Sequence, residues 1–114
     1  MPEDARRAIR FVLTDIDDTL TTGGKLTVEA YAALDRLHAA GLAVIPVTGR
    51  PAGWCDHIAR MWPVDAVVGE NGAFYFFFAD GRLQRRYADP LEVRREKRKR
   101  LEQLAGDMVA EGRW

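Results

Sequence analysis

The sequence lacks several features that would place it in other protein classes. Its one cysteine, Cys55, cannot form an internal disulfide, and this cysteine usage fits a reducing compartment such as the cytoplasm. No apolar stretch approaches the roughly 20 residues of a membrane span, and the acidic start does not resemble a signal peptide. Seventeen basic and seventeen acidic residues cancel, so no net charge favours nucleic acid or an anionic membrane. We expect a cytoplasmic protein with neither partner.

Short apolar runs alternate with helical patterns in the first part of the chain, which is typical of parallel βαβ construction. With 114 residues, 47% of them hydrophobic, the chain can bury one modest core. We therefore predict an α/β fold with a parallel sheet. Pro46 counts against a central position for the second strand, because proline cannot donate to the ladder. The predicted strands are residues 9–14, 42–48 and 64–69, followed by a hairpin over 73–87 that turns at Asp80-Gly81.

Helix signals lie between and after these strands. The first helix is predicted to follow the N-cap Thr27 and to end at Gly41, and the second to begin at Pro51 and end at Pro63. A charged helix is predicted after Pro90. The predicted inward faces are Val28, Tyr31, Leu34 and Leu37 in the first helix, and Trp54, Ile58 and Met61 in the second. The third has only a thin apolar stripe of Leu101, Leu104 and Met108.

Three aspartates, Asp15, Asp17 and Asp18, directly follow the first predicted strand. Like charges this close raise one another's pKa unless a cation or a solvated turn relieves them, so the cluster is either a polar turn or a metal site. In a parallel α/β sheet, ligands bind beyond the carboxyl ends of the strands. Residues 15–19 and 48–50 follow the first and second strands, and we expect both segments at one edge of the sheet.

These residue types permit phosphoryl chemistry. An aspartate at a strand end can attack phosphorus, and a second carboxylate two residues later can act as general acid and base. Mg²⁺ prefers oxygen ligands and can bind one or two carboxylates together with a substrate phosphate. Thr48 offers a hydroxyl to a phosphate oxygen, and Gly49 lets the backbone approach closely. Arg50 either reaches the phosphate or lies on the surface, and its sequence context favours neither.

The segment "FVLTDIDDTL" (11–20) resembles the D-x-D-x-T-L motif of the haloacid dehalogenase superfamily, and "VIPVTGRP" (44–51) resembles its second motif. "GENGA" (69–73) resembles the type IIB subgroup, which contains Cof-type and sugar-phosphate phosphatases. The resemblance implies a Rossmann-like, three-layer parallel sheet, incomplete in this chain, with a β-hairpin and a C-terminal helix.

The resemblance also implies a role for each matching residue. Asp15 is implied as the nucleophile and Asp17 as the acid/base, and both as Mg²⁺ sites, Asp17 through its backbone carbonyl. Thr48 is implied to bind the transferring phosphoryl group, with Gly49 and Arg50 beside it. The stretch "TTGGKL" (21–26) fits the flap that follows the first motif.

The sequence departs from the family pattern in its second half. The family's third motif, a Lys or Arg, and its fourth, an acidic pair, are not visible. The lysines are Lys25, Lys97 and Lys99, and none has the expected context. The resemblance implies that residues 1–79 form the N-terminal part of a catalytic core and residues 80–114 the start of a cap domain. We therefore expect a chain, ending at Trp114, that is a piece of a larger enzyme.

Two further segments have simple structural interpretations. Asn71 and Gly72 predict a turn with a left-handed residue. The basic run "RREKRKR" (94–100) predicts a solvated helix face more than a nucleic-acid site.

The predicted function is Mg²⁺-dependent hydrolysis of a phosphate monoester, with a sugar phosphate as the implied substrate, through an aspartyl-phosphate. Two alternatives stay open. The chain could be a phosphomutase with the same nucleophile, or a fragment that binds Mg²⁺ or phosphate, or associates with another chain, without turnover. Self-association would use the surface that missing strands would otherwise cover.

Overall fold

The computed structural model describes residues 1–112, so the last two residues of the predicted cap segment lie outside the described part. The described helices are α1 (Glu3–Arg7), α2 (Val28–Ala39), α3 (Ala52–Met61) and α4 (Leu91–Ala110), with a 3₁₀ turn at Glu70–Gly72. The described strands are β1 (Phe11–Thr14), β2 (Thr21–Thr22), β3 (Lys25–Leu26), β4 (Ala43–Pro46), β5 (Val67–Gly69), β6 (Phe74–Ala79) and β7 (Arg82–Tyr87). Each predicted strand and helix is present, and α1 and the small β2–β3 hairpin are additions.

Five strands follow the spatial order β1-β4-β5-β6-β7, and β2 and β3 pair separately as a hairpin. β1 pairs in parallel with β4, and a parallel bridge between Val47 and Val68 connects β4 to β5. β5, β6 and β7 pair antiparallel. Helices α2 and α3 are the crossovers of the parallel part, which confirms the predicted Rossmann-like α/β fold in an incomplete form. The predicted boundary between residues 79 and 80 falls in the turn between β6 and β7, and it stays a prediction.

Pro46 does lie in a central strand, contrary to the expectation from its missing N–H. In β4 the N–H groups of alternate residues point to opposite sides, and that of Val47 reaches Thr14 of β1 (2.8 Å, N to O). Val44, two residues before Pro46, points its N–H away from β1 to the Asp65 carboxylate (2.8 Å). The missing donor at Pro46 therefore faces β5, where pairing begins only at Val47, and the β1–β4 ladder is intact.

The main core lies between α3 and the β5–β7 part of the sheet. Its buried members are Ile16, Cys55, Ile58, Ala59, Val67, Phe74, Phe76 and Leu83. The predicted inner face of α3 is wrong at two positions, because the side chains of Trp54 and Met61 are 53% and 64% exposed. The small residues Cys55 and Ala59 take their place beside Ile58, since they allow α3 to approach the sheet closely.

The N-cap predicted for α2 is confirmed, but its predicted inward face is only partly correct. The Thr27 hydroxyl accepts a hydrogen bond from the Ala30 N–H (3.2 Å), and Gly41, with φ of 85°, follows the helix end. Leu34 is buried, whereas Val28 is 82% exposed. Leu34 is the one buried side chain of α2, which packs mainly on β4, and the Tyr31 hydroxyl donates to the Met61 carbonyl oxygen of α3 at 3.3 Å.

The opposite face of the sheet is open. Phe11 and Leu13 on β1 are about two-thirds exposed, at 66% and 67%. Their face continues across the sheet through Ile45, Val47, Val68, Tyr75 and Phe77, as the strand registers require. Parallel sheets are normally covered on both faces. Within residues 1–112 no helix packs on this apolar face, and β1 has no partner along its outer edge.

Helix α4 extends away from the sheet. With this helix included, the molecule measures 59 Å along its longest axis. The Arg94 guanidinium lies 3.4 Å from the centre of the Tyr87 ring and connects the helix to β7. The predicted apolar stripe is present but unpacked, since Leu101 and Leu104 are more than half exposed. No helix in residues 1–112 is long and apolar enough to cross a membrane.

Candidate active site

A tight turn at the end of β1 presents the two aspartates implied to be functional. Ile16 is buried in the core, and its carbonyl oxygen accepts the N–H groups of Thr19, Leu20 and Thr21 at 2.9–3.2 Å. Because side chains of successive extended residues alternate, Asp15 and Asp17 on either side of Ile16 are exposed. The sequence D-I-D therefore anchors the turn through its apolar residue and leaves both carboxylates available.

Thr48 lies just beyond the end of β4, in a fixed position. It is 3% exposed, and its N–H donates to the Val68 carbonyl oxygen at 2.9 Å. Its hydroxyl oxygen accepts the Arg50 N–H at 3.1 Å. This leaves the hydroxyl hydrogen of Thr48 free to donate to a bound ligand.

Asp15, Thr48 and Gly49 line one open cavity of about 350 Å³. The structure thus brings together three of the predicted site residues, at the ends of two adjacent parallel strands. The rest of the wall consists of Leu13, Thr14, Val47 and Asn71.

Asp17 and Arg50 form an ion pair next to this cavity rather than in its wall. The Arg50 Nη2 donates to Asp17 Oδ1 at 2.6 Å, and its Nε donates to Oδ2 at 3.2 Å. The guanidinium also lies 4.6 Å from the centre of the Trp54 ring. Arg50 is therefore held by two partners, and its predicted contact with a substrate phosphate stays a prediction.

The ion pair lowers the pKa of Asp17 below its ordinary value, mainly through the hydrogen bond from Arg50 and further through the guanidinium's charge. The same hydrogen bond raises the pKa of Arg50. Asp17 is consequently a carboxylate in this arrangement, and a weaker base than it would be without Arg50. To donate a proton to a leaving group, its side chain must first separate from Arg50.

The oxygen donors at the turn suit a hard cation such as Mg²⁺. The carboxylate of Asp15 accepts one hydrogen bond, from the Thr19 hydroxyl at 3.3 Å, and the Asp17 carbonyl oxygen accepts none within residues 1–112. Mg²⁺ keeps several waters and needs only one or two protein carboxylates. These two oxygens fit that requirement. No cluster of three or more acidic, His or Cys side chains in the described residues could hold a metal by itself.

Asn71 is a wall residue of the cavity that sequence reasoning assigned only to a turn. The predicted left-handed turn is confirmed, with φ of 57° at Asn71 and 100° at Gly72. Its place beside Asp15 and Thr48 was missed. Its position soon after the third parallel strand could have identified Asn71 as a wall residue, because Asp15 and Thr48 were identified from the same position after the first two strands.

None of the three lysines lines the cavity. Lys25 is in the β2–β3 hairpin, which turns through Gly23 and Gly24, both with positive φ. Lys97 donates to Asp89 at 2.5 Å on α4, and Lys99 lies on the same helix. The nearest cationic residue along the sequence is Arg50, which directly follows the wall residue Gly49.

Comparisons with known proteins give the family of this chain and solved structures with a similar fold. The family model described as haloacid dehalogenase-like hydrolase matches residues 12–99. A solved hypothetical protein from Geobacillus kaustophilus HTA426 is 26% identical, with a TM-score of 0.65, over 91% of this chain and 38% of its own. A phosphatase of the haloalkanoate (HAD) enzyme superfamily from Bacteroides thetaiotaomicron is 25% identical, with a TM-score of 0.58, over 92% of this chain and 39% of its own.

A sugar phosphatase of HAD subclass IIB is 27% identical, with a TM-score of 0.50, over 60% of this chain and 28% of its own. This chain therefore spans less than two-fifths of the length of each of these structures. No curated protein matches the sequence significantly.

Proposed function

We propose, because this chain belongs to the haloacid dehalogenase-like hydrolases, that it carries the nucleophile of a Mg²⁺-dependent phosphatase. One observation supports this most directly. Asp15 and the buried Thr48 line the same cavity at the ends of β1 and β4. A carboxylate and a hydroxyl donor at that edge of a parallel sheet can attack and hold a phosphoryl group.

The proposed reaction has two steps. A carboxylate oxygen of Asp15 attacks phosphorus, and the bond from phosphorus to the ester oxygen breaks while protonated Asp17 gives its proton to that oxygen. Water then attacks the aspartyl-phosphate, loses a proton to Asp17, and releases inorganic phosphate and free Asp15. Thr48 donates its hydroxyl hydrogen to a phosphoryl oxygen throughout. Release of Asp17 from Arg50 precedes the first step.

Mg²⁺ would be held by the Asp15 carboxylate and the Asp17 carbonyl oxygen, and it would supply positive charge between the nucleophile and the anionic substrate. A phosphorylated small molecule is the substrate we propose. The sugar phosphatase among the structural relatives supports a sugar phosphate within that class. Cytoplasmic location and the absence of nucleic-acid or membrane partners stay predictions.

An assay of phosphomonoester hydrolysis tests the proposal. The chain is incubated with p-nitrophenyl phosphate, with Mg²⁺ and with EDTA, beside its Asp15→Asn and Asp18→Asn variants. Asp18 occupies the variable position of the motif, so its variant controls for loss of one charge in the same turn. We expect Mg²⁺-dependent turnover that Asp15→Asn abolishes and Asp18→Asn retains. Equal activity in the native chain and in Asp15→Asn would exclude Asp15 as nucleophile.

No turnover in any of these proteins would favour a second function, a non-catalytic part that associates with another chain. The observation behind it is the open apolar face, on which Phe11 is 66% exposed. In this alternative the partner is a second copy of the chain. Analytical ultracentrifugation would measure the dimer. Phe11→Ser should then weaken the dimer, whereas Val28→Ser, at an exposed site on α2, should not. A monomer at all concentrations would exclude it.

A further inference from the structure

Three side chains approach the candidate cavity from the ends of three successive parallel strands. Asp15 follows β1, Thr48 follows β4 and Asn71 follows β5, and all three line the same wall. The proposed function assigns the first two. Asn71 has no role in it, although it has the same relation to its strand.

The backbone of Asn71 is held against the Thr48 loop. The Asn71 N–H donates to the Thr48 carbonyl oxygen at 3.2 Å, and the N–H of Glu70 donates to the Arg50 carbonyl oxygen at 3.1 Å. These two bonds cross from the turn after β5 to the loop after β4. Any shift of Asn71 would therefore move the loop that carries the candidate phosphate-binding hydroxyl.

The side chain of Asn71 lies over Gly49. A Cβ atom added at Gly49 would be 3.0 Å from Asn71 Oδ1 and 3.6 Å from Nδ2. Glycine at position 49 thus allows the carboxamide to lie directly on the loop. Within residues 1–112 this carboxamide makes no side-chain hydrogen bond, so its Nδ2 hydrogens are available to a ligand in the cavity.

The backbone conformation of Asn71 is one that glycine and asparagine tolerate better than other residues. Asn71 has φ of 57° and ψ of 34°, in the left-handed region that glycine adopts most readily. Glu70 and Gly72 beside it also have positive φ. Of these, Glu70 is the residue that rarely adopts such a conformation, and strain of that kind concentrates at functional sites.

We propose that Asn71 is a substrate-binding residue whose Nδ2 group donates to an oxygen of the phosphoryl group held between Asp15 and Thr48. This inference rests on the proposed function and adds a third contact to it. Thr48 donates from the β4 side and Asn71 from the β5 side, while Asp15 faces phosphorus from the β1 side. The carboxamide is uncharged, so it can donate without adding charge to the site.

Titration with inorganic phosphate tests the inference without any need for turnover. The amide signals of Thr48 and Gly49 are followed by NMR in the presence of Mg²⁺ for the native chain and for Asn71→Gly and Asn71→Asp. Asp80→Gly is the matched control, because Asp80 has φ of 54° in the distant hairpin turn. Thermal unfolding of each protein separates binding effects from folding effects.

The order of affinities distinguishes a direct contact from a merely structural role. Loss of one hydrogen bond to a charged group predicts phosphate binding about tenfold weaker in Asn71→Gly. Asn71→Asp should bind weaker still, because its carboxylate repels phosphate. If Asn71 only shaped the turn, Asn71→Gly would keep native affinity, since glycine adopts the left-handed region most readily.

Asp80→Gly should retain native phosphate affinity, and both glycine variants should unfold at a temperature no lower than the native chain. Native-like affinity in Asn71→Gly, or weaker binding there than in Asn71→Asp, would overturn the inference and leave the proposed function standing. No phosphate-dependent shift in the native chain would overturn both.

Discussion

The two ends of the sheet differ in how they are covered. Around β5, β6 and β7, the buried residues of α3 pack on one face, and the aromatic side chains Phe74 and Phe76 stack at 4.3 Å between ring centres. At β1, by contrast, Phe11 and Leu13 project from an uncovered face, and the strand has one neighbour among the described residues. The proposed nucleophile, Asp15, follows the strand of the second region. Stability is therefore concentrated at one end of the sheet, and the proposed nucleophile lies at the other.

This division follows from the distance along the chain between packing partners. Helix α3 and strands β5, β6 and β7 follow one another in the chain, and they contribute every buried member of the core except Ile16. Among the described residues β1 is paired only with β4, and no described helix covers its open face. The following substitutions test the division, in decreasing order of expected effect.

Substitution of Phe76 should give the largest loss of stability. Phe76 is 1% exposed and central to the core, so Phe76→Ala is expected to lower the free energy of unfolding by about 3–5 kcal/mol. Tyr75→Ala, the next residue on the open face and 46% exposed, should cost about 1 kcal/mol or less. Urea denaturation measures both, with Phe76→Leu as a milder replacement if the alanine variant does not fold. Equal losses for Phe76 and Tyr75 would contradict the division.

Gly69 and Gly53 should respond with opposite sign to the same substitution. A Cβ at Gly69 would lie 2.4 Å from the Phe74 ring and 2.6 Å from the Cys55 sulfur. Overpacking of this kind costs about 1–3 kcal/mol of unfolding free energy in Gly69→Ala. Gly53, inside α3, has nothing within 4 Å of its Cβ position, so Gly53→Ala should stabilise by up to about 1 kcal/mol. Thermal unfolding distinguishes the two, and a stabilised Gly69→Ala would show that the core is loosely packed.

Truncation at the open end should change stability little. Phe11→Ala removes a large ring, but 66% of that residue is already exposed. We expect a loss of about 1 kcal/mol or less, well below that of Phe76→Ala. Urea denaturation at low protein concentration gives the comparison for the monomer. A loss as large as that of Phe76→Ala would mean that the face at β1 is covered in solution.

Substitution of Arg50 should change the titration of Asp17 more than it changes stability. The Arg50 guanidinium holds the pKa of Asp17 below its ordinary value of 3.8. In Arg50→Gln this pKa should rise, as carboxyl NMR titration would show. Arg60→Gln, which removes the partner of Asp56 on α3, is the control and should leave it unchanged. An unchanged pKa of Asp17 in Arg50→Gln would mean that the ion pair does not form in solution.

The pH dependence of folding follows from the direction of that shift. A carboxyl whose pKa is lower in the folded than in the unfolded chain stabilises the fold above the unfolded-state value. Its contribution is lost as the pH falls below about 3.8 and through the folded value. Arg50→Gln should therefore lose slightly less stability than the native chain over that acidic range. The effect is small because both side chains are exposed to solvent.

The sequence predicted the positions of the strands and the two loops of the site more accurately than it predicted which side chains are buried. Thr27, Gly41 and Pro51 mark the ends of helices through local backbone chemistry. Such ends can therefore be predicted from the sequence before the fold is known. The face of α3 depends on what packs against it. Periodicity favoured Trp54, but the sheet lies so close that Cys55 faces it instead.

The site shows the same limit. Asp15 and Thr48 could be predicted to meet because both follow parallel strands, whereas the ion pair of Asp17 with Arg50 depends on side-chain directions that no spacing encodes. Asn71 was assigned to a turn, correctly, because its residue type predicts the left-handed conformation. That its carboxamide also lies over Gly49 follows from the bridge between β4 and β5, which only the assembled sheet reveals.

The buried thiol of Cys55 offers a way to observe this small domain as it opens. It is fully buried between α3 and Gly69, and burial, together with the nearby charge of Glu70, raises its pKa to about 11. Only the thiolate reacts with an alkylating reagent. Since the chain has no other cysteine, the rate of its alkylation reports how often α3 lifts from the sheet. Ligands that bind in the candidate cavity can thus be tested for an effect on that motion without any engineered label.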